Sequence, residues 1–269
     1  MNIAIITGAS SGIGEEFAIQ ISNKYSNLDE ICILARRKDR LEELSNKLHT
    51  KARIMTLNLA LDSDLRLFAN ELDLINPTVR ILVNCAGYGK IGSFASGSYE
   101  EEIGMVNINC KALTAVTYFV LPYMNEGSRI IQIASFAAFL PQPDFAVYAA
   151  SKSYVLSFSR ALKYELRNRK INVIAICPGP VDTEFFDKAD PDNHGKQYKK
   201  IFRVKPQRIV AKALKDSTLG AEISIYGWPM KFIFAFFKIL PHKLILNIVY
   251  GAKNETKNET KTRTKNGTK

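Results

Sequence analysis

Cysteine is scarce and scattered. The 269 residues hold four, Cys32, Cys85, Cys110 and Cys177. They stand far apart in apolar contexts, with neither CxxC metal spacing nor the pattern of a disulfide framework. No metal site is expected, and the thiols read as reduced and mostly buried in a cytoplasmic protein. A secretory leader is also missing from the reading. The first residues enter a β pattern at once, without a charged n-region, apolar h-region or cleavage site. The net charge of +11 lacks the aromatic-interleaved basic stripe of a nucleic-acid groove. The basic residues lie along amphipathic helices, which reads as a solvated surface, so no nucleic-acid partner is expected. At 46% apolar residues the bulk of the chain is too hydrophobic for disorder, and the length suits one large α/β domain.

Strands alternate with helices along most of the chain. Apolar runs at Ile3–Ile6, Glu30–Ala35, Arg53–Leu57, Arg80–Val83, Arg129–Ala134, Ile171–Cys177 and Glu222–Tyr226 read as strands. Periodic segments between them read as helices, including Lys38–His49, Leu61–Leu74, Glu100–Met124, Tyr148–Arg169 and Pro206–Leu219. This alternation predicts a parallel sheet covered on both faces, with ligands at the strand C-termini. Polar Thr183–Lys200 reads as a mobile insert.

Four features fall at those C-termini. The turn Thr7-Gly8-Ala9-Ser10-Ser11-Gly12-Ile13-Gly14 joins a strand to a helix. Glycines admit a pyrophosphate to the backbone, and the helix N-terminus offers free N–H groups and a positive dipole end. Glycine clusters also serve ordinary turns, and the Gly-x-x-x-Gly-x-Gly spacing is wider than Gly-x-Gly-x-x-Gly. The second strand ends in Ala35-Arg36-Arg37. It lacks the carboxylate that would hold a ribose 2′-OH, and its guanidinium forks suit a 2′-phosphate. The blander reading is that the arginines open a solvated helix. Asn84-Cys85-Ala86-Gly87 places small residues where a ligand or backbone approaches closely. Ser135 closes a further strand. Tyr148 and Lys152, four apart, share one face of a helix. An ammonium beside a phenol favours the phenolate, so the Tyr148 pKa is expected to fall below its free value of about 10. Alone, such a pair occurs by chance on many solvated helices.

Together these residues resemble the short-chain dehydrogenase/reductase family, classical type, over Asn2 to about Tyr226. Thr7-Gly8, Gly12-Ile13-Gly14, Asn84 to Gly87, Asn109, Ser135, Tyr148, Lys152, Pro178-Gly179 and Thr183 match its motifs in order. Cys85 replaces the family's second Asn. Asn58 stands where an adenine-contacting Asp is usual. The resemblance implies a doubly wound, Rossmann-type parallel sheet, a single domain with a C-terminal helical extension. It implies hydride exchange between NADP(H) and a secondary alcohol or ketone. Tyr148 would be the acid–base, and Ser135 the hydrogen-bond donor to the carbonyl. Lys152 would hold the ribose and tune Tyr148, and Asn109 a proton-relaying water. Cofactor contacts would come from Gly8, Ser10, Ser11, Gly12, Ile13, Gly14, Arg36, Arg37, Asn58, Asn84, Ala86, Gly87, Tyr148, Lys152, Pro178, Gly179, Val181 and Thr183. A homodimer or homotetramer is implied.

The expected organisation is a catalytic unit at 1–227, an apolar helical extension at 228–250 and a disordered basic tail at 251–269. The aromatic run Phe232 to Phe237 is too short to span a membrane. It is open to three readings: a lid over the substrate, an oligomer contact or a peripheral membrane contact. Asn254, Asn258 and Asn266 begin Asn-x-Thr sequons, read as coincidental without a leader. Phe136, Phe139, Phe145, Phe185 and Phe186 point to a lipophilic small molecule. A hydroxysteroid is the first substrate and a long-chain 3-oxoacyl compound the second. A non-catalytic nucleotide-sensing or scaffold protein is the reading from another class. It would not need Ser135, Tyr148 and Lys152 intact.

Overall fold

A computed structural model describes residues 1–190, 203–239, 241 and 243–247. The expectations for the 251–269 tail and its sequons lie outside these residues, as do residues 191–200 of the expected insert. Seven strands form one parallel sheet in the order β3-β2-β1-β4-β5-β6-β7. They are β1 (Asn2–Thr7), β2 (Glu30–Ala35), β3 (Lys51–Thr56), β4 (Thr78–Asn84), β5 (Arg129–Ile133), β6 (Asn172–Ile176) and β7 (Ile223–Ser224). The order reverses between β1 and β4, so a crevice opens above their C-termini, where such sheets bind ligands.

The strand period of two explains the layering. Ile3 and Ile5 of β1 point into a core under α3 (Asp62–Ile75), α5 (Leu113–Val120) and α6 (Ala146–Glu165), where Phe68 is fully buried. Ala4 and Ile6 point into the opposite core, under α1 (Gly12–Lys24), α2 (Lys38–Ser45) and α8 (Pro206–Thr218), around Phe17. Each phenylalanine side chain removed from water is worth about 1.5–3 kcal/mol. Central strands apolar on both faces are what this sandwich requires.

The expected helix Glu100–Met124 is found as one helical run, Tyr99–Tyr123, whose winding changes along its length. It comprises α4 (Tyr99–Val106), a π-helical turn (Asn107–Ala112), α5 and a 3₁₀ turn (Leu121–Tyr123) that takes up Pro122. By length and composition the Tyr99–Tyr123 run could cross a membrane, but Met105, Ala112, Leu113, Val116 and Val120 are buried within the fold. Helix α2 stops at Ser45 rather than His49. The Ser22 hydroxyl accepts the backbone N–H groups of His49 and Thr50 at 2.8 and 2.9 Å and pulls the chain out of helix. Within the expected insert, α7 spans Phe185–Ala189, and α9 (Trp228–Ile239) follows β7.

Candidate active site

The glycine turn sits against the end of β4. Gly8 has φ +68, and a Cβ there would meet the Ala86 backbone nitrogen at 2.7 Å. Any side chain would therefore be strained twice, once by conformation and once by contact. The Thr7 hydroxyl accepts the N–H groups of Cys85 and Ala86 at 3.0 and 3.1 Å, fixing the two strand ends together. Beneath the turn, a Cβ on Gly14 would come within 2.2 Å of the Gly8 carbonyl oxygen, so the helix start packs directly on the turn.

A cleft of about 910 Å³ opens above this edge of the sheet. Most of the expected residues line it. They include Gly8, Ser10, Ser11, Gly12 and Ile13 from the turn, and Arg36, Arg37 and Asn58 beyond β2 and β3. Ala86, Gly87, Ser135, Tyr148, Lys152, Pro178, Gly179, Val181 and Thr183 complete the set. Three do not line it. Gly14 is buried under the turn. Asn84 is buried one layer down, its amide donating to the Thr117 hydroxyl at 2.9 Å. Asn109 is buried beside the cleft. Its Nδ2 donates to the Tyr88 carbonyl at 2.9 Å and to Ser151 Oγ at 3.0 Å, while Oδ1 accepts the Tyr88 N–H at 3.1 Å. Both amide hydrogens are thus spent on the protein, locking the Tyr88 loop to α6. Asn107 makes no such link among the described residues.

Tyr148 is 7% exposed. Phe145 stacks on its ring at 4.2 Å, and Phe185 lies at 5.5 Å. Burial pushes the phenol up to about 12, against a hydrogen bond with Ser135 that lowers it. This overturns the expected lowering. The i,i+4 spacing brings Lys152 to 5.7 Å from the ring centroid, but its Nζ donates to the Ile133 carbonyl at 2.8 Å. Desolvation of an enclosed phenol then dominates. Burial also brings Lys152 down to about 8. Cys85 and Cys177 beside it are pushed up to about 12 by burial. They are neutral near pH 7 and offer Lys152 no counter-charge. Ser135 caps a 3₁₀ turn, accepting the Ala137 N–H at 3.1 Å, which leaves its own proton to donate.

The arginines divide. Arg36 is exposed. Arg37 reaches back to the turn, donating to Ser11 Oγ at 2.8 Å and Ser10 Oγ at 3.1 Å, and pairs with Glu184 at 3.1 Å. The Asn58 carboxamide oxygen accepts the Ala60 N–H at 3.3 Å, and its backbone N–H donates to Asp64 at 2.7 Å. Of the expected aromatic residues, Phe136, Phe145, Phe185 and Phe186 line the cleft. Phe139 instead packs on Phe234 at 4.5 Å. Tyr88, Glu184 and Met230 also line the cleft and were not expected in the site. They come from loops and helix positions with no local motif, and only the Tyr88 loop's neighbouring glycines hinted at close packing.

A dinucleotide fits this surface by its own chemistry. The α1 N-terminus and the Arg37 fork, both at the cleft, are anion-seeking. No group of three or more His, Cys, Asp or Glu side chains suited to a metal occurs among the described residues.

Residues 2–194 match the family model for short chain dehydrogenase. The chain is 34% identical over 184 residues to a very-long-chain 3-oxoacyl-CoA reductase of Aspergillus oryzae, covering 63% of this chain and 51% of that one. It is 32% identical over 188 residues to the 11-beta-hydroxysteroid dehydrogenase B of Sesamum indicum, covering 68% and 51%. In fold it is similar to a short-chain dehydrogenase from Sphingobium yanoikuyae solved in complex with NADPH. The TM-score is 0.74 at 24% identity, over 96% of each chain.

Proposed function

The chain belongs to the short chain dehydrogenase family, and from that premise we propose that it is an NADP(H)-dependent oxidoreductase interconverting a secondary alcohol and a ketone on a lipophilic molecule. As a family member it acts on CH–OH groups with a nicotinamide nucleotide. The observation that carries the finer reading is the convergence of Ser135, Tyr148 and Lys152 with the glycine turn and Arg37 in one cleft.

Gly8, Ser10, Ser11, Gly12 and Ile13 would hold the pyrophosphate, and Lys152 the nicotinamide ribose. Arg36 and Arg37 would take a 2′-phosphate, since Ala35 ends β2 without a carboxylate. When bound, the nicotinamide supplies or accepts the hydride. Tyr148, protonated at neutral pH, gives its proton to the carbonyl oxygen during reduction. Ser135 donates a hydrogen bond to that oxygen and holds it in place. The Lys152 ammonium stabilises the phenolate as it forms. Asn109 acts through position, fixing the Tyr88 loop to α6.

Phe136, Phe145, Phe185, Phe186 and Met230 give the substrate end an apolar lining, which favours a hydroxysteroid. The similarity to the Aspergillus reductase favours a long-chain 3-oxoacyl substrate as the second reading. Met230 lining the cleft supports α9 as a lid, within the proposed 228–250 extension of a 1–227 catalytic unit. We place the protein in the cytoplasm as a homodimer or homotetramer. The exposed Tyr99, Ile103, Val106 and Tyr118 of α4–α5, with Tyr154 and Tyr164 of α6, support that assembly. A panel of steroid, 3-oxoacyl and small ketones, followed by NADPH and NADH absorbance, tests the reading. Turnover of bulky ketones with NADPH preferred is expected. Inactivity on every ketone with both cofactors, or a preference for NADH, would overturn it.

A further inference from the structure

Helix α9 has two faces, and the cleft uses only one. Met230 turns inward, where a Cβ on Gly179 would stand 3.0 Å from its Cε. Phe234 packs on Phe139 with ring centroids 4.5 Å apart. Trp228 and Phe232, one helical turn apart, face outward at 78% and 72% exposure. Ile233 and, further on, Leu244 are also exposed. Lys231 and Lys243 are exposed among them. A surface that leaves a tryptophan and a phenylalanine in water side by side marks an interaction site.

Charge selects the occupant. Residues 228–269 hold nine Lys and Arg against two Glu, a net of +7 out of the chain's +11. A second copy docking on this face would bring two such segments together, and like charge opposes that contact. Aromatic residues at the level of lysines, followed by a polybasic stretch, match an interfacial helix on an anionic lipid surface. At twelve residues, α9 is too short to cross a bilayer. We propose that the outer face of α9 docks the protein on a bilayer with anionic headgroups. Trp228 and Phe232 enter the headgroup–acyl boundary, and the lysines neutralise the headgroups. The docking places the Met230 side of the cleft next to the lipid, and it stands whether or not the substrate reading does.

Trp228 is the sole tryptophan in the sequence, so its fluorescence reports on this face alone. The test adds full-length protein to phosphatidylcholine vesicles, with and without roughly a third phosphatidylglycerol. With the anionic vesicles, Trp228 emission should shift to the blue and be quenched by brominated acyl chains. Co-sedimentation should weaken as salt rises, through screening. Phe232→Glu should lower vesicle partitioning by about tenfold or more while keeping the melting temperature and the turnover of a water-soluble ketone. Unshifted emission with anionic vesicles would overturn the proposal. So would undiminished binding by Phe232→Glu, which would leave the basic tail acting alone. A blue shift that grows with protein concentration in the absence of lipid would overturn it in favour of a second copy.

Discussion

Arg37 and Glu184 stand 147 positions apart in the chain, yet their side chains pair at 3.1 Å across the mouth of the cleft. The same guanidinium holds Ser10 and Ser11 of the glycine turn. The pair ties the phosphate-seeking turn to the segment that leads into α7. Just before it, Thr183 lies so close to the turn that a Cβ on Gly12 would meet its Cγ2 at 3.0 Å. Glu184 is held below the usual carboxylate range by Lys188 and then Arg37, so it is charged at neutral pH. A 2′-phosphate reaching Arg37 must compete with that carboxylate. Both side chains are more than a third exposed or close to it, at 35% and 44%, so the pair is worth at most about 1 kcal/mol. Glu184→Gln should therefore tighten NADPH several-fold and leave NADH nearly unchanged in a fluorescence titration. Equal change for both cofactors would remove Glu184 from cofactor choice.

Tyr148→Phe removes the proton but keeps the ring that packs between Phe145 and Phe185. The fold and NADPH affinity should survive, and kcat should fall by about two orders of magnitude or more. Turnover near the parent level would take Tyr148 out of the chemistry.

Lys152 gives a pH signature. Burial brings its pKa from 10.5 down to about 8. The unfolded chain, with the ordinary value, therefore binds more protons between about pH 8 and 10.5. Stability must rise with pH across that window, because the unfolded state holds the extra proton. The full shift is worth up to about 3 kcal/mol. Tyr148, raised to about 12, acts only above about pH 10, with the opposite sign. Thermal melts from pH 7 to 10 should show the parent gaining on Lys152→Met as pH rises. In the same range NADPH affinity should fall as the ammonium loses its charge above about pH 8. Parallel melting curves for the two proteins would mean that Lys152 titrates at its ordinary value.

The sheet was legible because buried strands must be apolar and short, and the cofactor turn because only glycines tolerate its crowding. What the chain order concealed was tertiary. Spacing placed Lys152 near Tyr148 but said nothing of how completely both would be enclosed, so the Tyr148 pKa moved up where a fall was expected. The π-helical winding at Asn107–Ala112 carries no proline or glycine. It coincides with Asn109 turning inward to Tyr88 and Ser151, contacts no local pattern announces. The Arg37–Glu184 pair and the inward Met230 likewise depend on segments that only the folded sheet brings together.

Thr117 supports the site from below. Its hydroxyl donates to the Leu113 carbonyl at 2.7 Å and accepts the amides of Asn84 at 2.9 Å and Gln132 at 3.1 Å. All three side chains are buried, and Asn84 Oδ1 and Gln132 Oε1 already lack a partner. Thr117→Val keeps the shape but removes the one acceptor that both amides share. Two buried donors left without partners should cost about 2–4 kcal/mol together, a large share of the stability of a domain. Thr117→Ser keeps the hydroxyl and loses only a methyl group, at about 1 kcal/mol. Asn84 ends the strand that carries Ala86 and Gly87 to the cleft, so the loosening should reach the cofactor. Thr117→Val should lower the urea midpoint sharply and weaken NADPH binding, with Thr117→Ser near the parent in both. Equal destabilisation by the two substitutions would mean that packing of the methyl group, rather than the shared acceptor, holds the strand end.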